Sequence, residues 1–423
     1  MKVPFEIERS SENLTARSGL CLFEEFKNRF KVNELVEKHF PKPLSNRGFE
    51  ASCFVNTLLL TLYGGGESIS DTREIRDDKA FRKLLNLEKT PGESAIGKWL
   101  RRTGKRGGIR SIEQVNDAVI KLILKNKGIK KLSVTIDPTL IKGEKDEAKM
   151  TYEGYRGYRP VAVFINELNL VIHYEFREGN DNGGKLRIIK ETVEKVHSWG
   201  IEVELVLADA EYYAADVFNY LDKCGIKYVI ACFKDSSTMQ DIENIPQAAW
   251  QKFITEDGIC TKQMIAETVH LMHYSNQAFR LVVKKSKNKK NETCYHCIGT
   301  NIIEKTASQV AHVYAKRAIQ ENTIKEAKNG FGVRKLPSGN FKANALYFGI
   351  AILAHNLFVA QKLLTMPKKY HSKTIKSIRW LLVEIPGKVI TYAKKMVLKI
   401  ACSIDKFNTI IKMRRKIYDL KII

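Results

Sequence analysis

The sequence predicts a mixed α/β core flanked by helical regions at both ends. Three observations predict it. Residues 1–128 carry apolar side chains mostly at helical spacing; residues 131–232 break into short apolar runs in the order three strands, helix, strand, helix, strand; and helical spacing returns from Phe341 onward. A chain of 423 residues is long enough for two or three domains with sizeable cores.

In the N-terminal region, residues 23–40 have helical apolar spacing, and residues 48–63 form an apolar helix stopped by Gly64, Gly65 and Gly66. Residues 70–85 are amphipathic and charged. Thr90, Pro91 and Gly92 make a turn, and Ser94 caps a short helix through Arg102. That helix leaves through a basic, glycine-rich stretch containing Arg101, Arg102, Lys105 and Arg106, and residues 111–127 form another amphipathic helix. A small helical unit with such an exit suits DNA binding; an ordinary bundle with a charged surface has the same pattern.

The pattern then changes. Residues 131–137 are a strand ending in a carboxylate, Asp137. Residues 161–165 and 170–176 are two strands joined through the turn 166–169, and residues 185–199 are a helix. Residues 202–209 are a fourth strand, again ending in a carboxylate, Asp209; residues 214–224 are a helix and 227–232 a fifth strand. Strand-like runs at 260–272, 279–284 and 293–300 make the interval 233–301 β-rich.

Apolar residues make up 44% and charged residues 28%, which excludes a disordered chain. Lys and Arg number 71 against 47 acidic residues, for a net charge of +24, and a polyanionic partner follows: nucleic acid first, a membrane surface second. Residues 361–423 hold sixteen Lys or Arg against Glu384, Asp405 and Asp419, a net +13, with Trp380 and leucines interspersed, so this stretch reads as a folded basic helical segment. The start of the chain lacks a continuous apolar core, the run 53–63 is too short to span a bilayer, and the run 346–364 is interrupted by His355, Asn356, Gln361 and Lys362. The expectation is a soluble cytoplasmic protein with buried apolar helices. Eight scattered cysteines suit reduced thiols, and the Cys294 and Cys297 pair, with no second pair at zinc spacing, reads as part of a strand.

The most informative segment is 314–330, read as one helix stopped by Gly330. At about 100° per residue, Arg317, Glu321 and Lys328 lie about 300°, 340° and 320° round the axis from Tyr314, so all four share an arc of about 60°. One carboxylate is thus aligned with two cations and a phenol. Such a stripe suits a metal facing a phosphate backbone, and an exposed helix with incidental charges is the other reading.

The spacing Tyr, two residues, Arg, three residues, Glu, six residues, Lys resembles the Tyr-Arg-Glu-Lys motif of bacterial insertion-sequence transposases of the Asp-Asp-Glu type. Further blocks are similar to the same family: Asp137-Pro138-Thr139, residues 152–160, and Arg177, Glu178, Gly179 and Asn180. The order of strands and helices resembles the ribonuclease H-like fold, and members of the family carry a β-rich insertion where 233–301 stands. Two departures are Thr135, where many members have a second acid, and Glu211, near which many have glycine. The resemblance implies segments 1–130 (helical, DNA-binding), 131–360 (catalytic, with the insertion 233–301) and 361–423 (basic, helical).

It also implies that Asp137, Asp209 and Glu321 are the catalytic acids. Three uncompensated carboxylates repel one another, so they require cations, and hard oxygen ligands select Mg²⁺ or Mn²⁺, two ions per site. Tyr314, Arg317 and Lys328 would contact DNA phosphates, and Trp250 would stack on a displaced base. Asp146, Glu175, Glu178, Asp181 and Glu211 are competing acids. Glu211 is the nearest, since two residues along a continuing strand would bring it to the face of Asp209. The implied function is a transposase that binds terminal inverted repeats, cuts there and joins the 3′-hydroxyls to target DNA as a homodimer, with no membrane partner, in a bacterial cytoplasm and at the nucleoid when bound to DNA. A metal-dependent nuclease of the same fold and a non-catalytic DNA-binding descendant are the alternatives.

Overall fold

Nine strands from the middle of the chain join in one sheet: β1 (Lys131–Pro138), β2 (Val161–Ile165), β3 (Leu170–Glu175), β4 (Glu202–Ala208), β5 (Lys227–Cys232), β6 (Gln251–Ile254), β7 (Cys260–His270), β8 (Phe279–Lys287) and β9 (Thr293–Thr300). The computed structural model describes residues 5–43, 48–143 and 147–421, and of residues 318–322 the backbone alone. By contact the chain divides into two compact units, one formed by Leu124–Lys325 and the other by Met1–Ile123 together with Glu326–Ile423.

In the Leu124–Lys325 unit the first five strands lie in the order β3-β2-β1-β4-β5. β1 pairs parallel with β4, and β4 with β5, whereas β1–β2 and β2–β3 are antiparallel. This is the strand order and direction pattern of the ribonuclease H-like fold. The crossovers from β3 to β4 and from β4 to β5 run through α1 (Lys185–Ser198) and α2 (Ala215–Lys223). Their buried residues, among them Ile188, Val196, Phe218 and Leu221, repeat at helical spacing.

The interval 233–301 is β-rich, as expected, and it prolongs the core sheet. After α3 (Ser236–Glu243) the chain adds β6, β7, β8 and β9, all antiparallel, and β9 pairs with β5 through Cys297↔Cys232 to Thr300↔Val229. Directly paired residues share a face of a sheet. Pairing and the alternation along each strand therefore put Thr135, Leu207, Val229, Ile298, Val282 and Ile265 on one face, and Phe253 packs with them. There α4 (Ala307–Ala315) docks, with Val310 and Ala311 buried among Leu207, Val229, Phe253, Ile265, Val282 and Ile298. The His312 ring accompanies this packing, with its Nε2 2.8 Å from the Ile254 carbonyl oxygen.

In the other unit the helix Phe341–Leu364 is surrounded by protein, packed by the helices Glu93–Lys105 and Ala51–Gly64. It is long and apolar enough to cross a bilayer by length and composition, yet its most apolar window is entirely buried in the fold. Two of its polar interruptions are satisfied inside: Asn356 donates to the Asn116 side chain at 2.8 Å, and Tyr63 donates to Gln361 at 2.6 Å. The segment 361–423, expected to be helical, contains a β-hairpin before its terminal helix Ile404–Asp419. Strands Gly387–Tyr392 and Lys395–Ile400 pair around Ala393 and Lys394, whose φ angles are 48° and 62°. Two successive positive φ values make the tight turn that strand twist favours, but here Ala and Lys replace the usual Asn-Gly. The turn signal is thus missing from the sequence.

The join between insertion and core tolerates little change. A Cβ at Gly299 would meet Phe279 at 2.9 Å, Cys232 Sγ at 3.0 Å and Phe218 at 3.0 Å. Gly299→Val is expected to destabilise the protein by about 1–3 kcal/mol through overpacking, read as a lower urea midpoint. An unchanged midpoint would show that the seam between β5 and β9 is loosely packed.

Candidate active site

Asp137 lies at the C-terminal end of β1, and Asp209 follows β4 directly. The register pairs Ile136 with Ala208 on parallel neighbours, so the next residue of each strand is a carboxylate. The two acids leave one edge of the sheet together, on the face that α4 covers. Thr135, where an acid was noted as absent, is buried on the same face and donates to Asn166 Oδ1 at 2.6 Å.

A short break follows α4. The helix expected to run unbroken from Tyr314 to Gly330 is interrupted at Lys316, whose N–H is shared between the carbonyls of His312 and Val313, each at 3.3 Å. α5 (Arg317–Gly330) begins beyond it. Arg317 reaches the carboxylates: it hydrogen-bonds Asp137 Oδ1, and the same nitrogen is 3.7 Å from Asp209 Oδ2. Side-chain exposure is 12% for Arg317, 13% for Asp137 and 29% for Asp209, so the cluster is shielded from bulk water. Burial pushes the Asp209 carboxyl above its ordinary range; Arg317 pulls it down and Glu211 pushes it up. Glu321 is on α5, one turn beyond Arg317, and its side chain lies outside the described residues.

Glu211 separates from the pair. The chain leaves strand geometry at Asp209, whose side chain accepts from the Glu211 N–H at 3.0 Å and caps the turn Ala210–Tyr212. Glu211 is thereby turned to Arg159, with which it forms a nearly buried ion pair. Arg159 comes from the 152–160 block, and its partner block is held close by the bridge Tyr158↔Glu178. Of the other competing acids, Glu175 is taken by Arg177 and Arg187, and Asp146 lies outside the described residues.

The remaining residues singled out in the sequence are dispersed. Tyr314 sits on α4, partly buried against the core cluster, with its ring 5.1 Å from that of His296. Lys328 lies in the last turn of α5, within the Glu326–Ile423 part of the other unit. Trp250 is not brought to the acids. It precedes β6 and meets Tyr295, with ring centroids 6.2 Å apart, and the Lys285 ammonium is 5.2 Å from its ring centre. Lys285 and Tyr295 are direct ladder partners on the face opposite to Leu207 and Asp209. Cys294 and Cys297, three apart on β9, point to opposite faces and cannot converge on one ion.

Sequence reasoning missed a buried chain that steadies the Asp209 turn. His270 is 2.6 Å from Asp241 Oδ2 through Nδ1 and 2.9 Å from the Tyr213 hydroxyl through Nε2. With its Nδ1 proton given to Asp241, Nε2 accepts the Tyr213 proton. The chain ties α3 and the end of β7 to a residue four beyond Asp209. Only strand pairing brings these groups together, so no local pattern betrays them. His296, on the carboxylate face beside Tyr314, was also missed, although its alternation with Ile298 placed it there.

A family model, transposase DDE domain group 1, matches residues 2–422. The chain belongs to this family of DDE transposases. Among solved structures, the transposase is similar to a piggyBac transposase in a synaptic complex with hairpin DNA, solved by cryo-EM. Identity is 12%, over 98% of this chain and 85% of that one, with a TM-score of 0.48. A search of curated proteins found no match.

A carboxyl whose folded pKa is raised favours the protonated fold, so its contribution is fully present below the unfolded value of 3.8 and is lost as pH rises through the folded one. In chelator, Asp209→Asn should therefore raise the melting temperature at neutral pH, and the gain should vanish as the pH falls below the ordinary Asp range. A variant less stable than the parent at pH 7 would contradict this. Tyr213→Phe should leave His270 Nε2 unpaired and cost about 1–3 kcal/mol in urea denaturation; no loss would mean that the chain does not hold the turn.

Proposed function

We propose that this transposase binds the terminal inverted repeats of a bacterial insertion sequence, cleaves the DNA there and transfers the 3′-hydroxyl ends to target DNA. Asp137, Asp209 and Glu321 would be its catalytic acids. The observation that carries the reading is the meeting of Asp137 and Asp209 at adjacent parallel strand ends, next to the helix that bears Glu321. Ordinary turn-capping carboxylates have no reason to be paired in this way across a sheet under one guanidinium.

The donor set fits divalent cations. Both described acids offer hard oxygens, and in this structure a guanidinium already sits where positive charge is required. Among the described residues no group of three His, Cys, Asp or Glu meets at one point, and Glu321 would supply the third donor. Bound there, two Mg²⁺ or Mn²⁺ ions would supply Lewis-acid activation of water or a 3′-hydroxyl and neutralise the leaving oxygen.

The chain's own residues do the rest. Shielding of Asp137 and Asp209 raises the strength of every charge interaction at the scissile phosphate. Arg317 holds positive charge at that point, and Tyr314 and Lys328 would contact flanking phosphates. Trp250, on the far face, has no part in this reading. Arg101, Arg102, Lys105 and Arg106, all exposed, suit a backbone contact by the N-terminal region. Processing two element ends calls for two active sites, hence a homodimer in the synaptic complex.

The test uses duplexes carrying the ends and flanks of the element that encodes the chain, in Mg²⁺ or Mn²⁺. Asp137→Asn, Asp209→Asn and Glu321→Gln should each abolish single-turnover cleavage and joining while end binding is largely retained. Full cleavage by any one of them overturns the assignment, and cleavage without joining by the parent protein would make it a nuclease.

A further inference from the structure

The insertion brings a second set of polar groups to the carboxylate face. Lys284 on β8 and His296 on β9 are direct ladder partners, and register places both on the side of Leu207 and Asp209. The Lys284 ammonium is held 5.1 Å from the centre of the Phe253 ring, within the cluster that α4 covers. His296 is half-buried and lies against Tyr314, rings 5.1 Å apart and inclined by 57°. Lys234 is exposed on the loop just beyond the end of β5, where strand alternation no longer applies, and it is near enough to His296 to act on its charge.

Charge in this place is one-sided. Burial lowers the His296 imidazole pKa, and Lys284, Lys234 and Arg317 lower it further. The ring is therefore neutral at neutral pH and offers one N–H. Arg317 is engaged by Asp137 and Asp209, which leaves Lys234, His296 and Lys284 as a ledge of donors beside an acidic pair. Donors collected next to carboxylates suit a ligand that alternates anionic groups along its length.

We propose that Lys284, His296 and Lys234 form a phosphate-binding ledge that holds the DNA backbone next to the bond at Asp137 and Asp209. The two lysines supply charge, and His296 supplies a directional hydrogen bond and props the Tyr314 ring. The ligand is a phosphodiester of the DNA strand that enters the cleft. This rests on the reading of Asp137 and Asp209 as the cutting site, and it gives the insertion a function that the first five strands do not need.

The sheet provides its own control. Lys284 and Lys285 are neighbours in sequence with the same charge, but Lys285 faces the opposite side, beside Trp250 and Tyr295. Binding of a fluorescein-labelled DNA duplex to the full-length protein is measured across a salt series, with circular dichroism to check each variant's fold. Lys284→Gln should reduce the log–log salt slope by about 0.9, the contribution of one duplex phosphate, and Lys285→Gln should leave it unchanged. Lys234→Gln, on an exposed loop, should behave as Lys284→Gln does. His296→Gln should weaken binding about twofold to tenfold with no change of slope, because a neutral donor releases no counterion. Equal slopes for the Lys284 and Lys285 variants overturn the ledge. Cleavage with Mn²⁺ is followed in parallel. If the parent protein does not cut while Lys284→Gln still lowers the slope, the catalytic reading fails and the ledge stands. If the parent cuts and all three ledge variants bind as it does, the ledge fails and the catalytic reading stands.

Discussion

Two carboxylates held at the ends of adjacent parallel strands define this transposase. At an effective dielectric constant near 20, a pair of like charges about 4 Å apart costs on the order of 4 kcal/mol. Such a pair persists only if the surrounding fold holds both strands firmly and positive charge is at hand. The parallel ladder of β1 and β4 meets the first need: residues 132–136 and 206–208 are buried, α1 packs on β4, and Leu207 joins the cluster under α4. Arg317 meets the second. Burial also raises the pKa of Asp209, with Glu211 adding to the rise and Arg317 opposing it, so the site is maintained against the stability of the fold.

The insertion follows from the same constraint. A separate domain between β5 and the Glu321 helix would leave α4 tethered by a linker. As antiparallel strands added to β5, the insertion instead builds the floor on which α4 lies, through Phe253, Ile265, Val282 and Ile298. Arg317 comes two residues after α4, so its reach to the acids is set by that packing. The Asp241–His270–Tyr213 chain fastens the same insertion to the Asp209 turn from another direction. Both arms of the site, the turn and the helix, are therefore referenced to one rigid sheet.

Alternation along β8 and β9 divides the insertion into two chemically different faces. Lys284 and His296 turn toward the acids; Lys285, Tyr295 and Trp250 turn away. The family resemblance groups Trp250 with the active site as a stacking residue, but its contacts with Tyr295 and Lys285 hold it on the other face.

The sequence by itself determined the strand and helix order from Lys131 to Cys232, the two strand-end acids and the helix that bears Glu321. Those are local matters: apolar period, turn residues and the spacing of charges along one element suffice to state them. Tertiary structure alone decided what those elements touch. The docking of α4 brings Arg317 to Asp137 and Asp209, the turn at Asp209 sends Glu211 to Arg159, and the pairing of β9 with β5 makes the insertion part of the core. The hairpin around Ala393 and Lys394 likewise carries no turn residues that announce it. Each depends on which strand lies beside which. That choice is made by side-chain packing between segments far apart in the chain, and no spacing within a single segment encodes it.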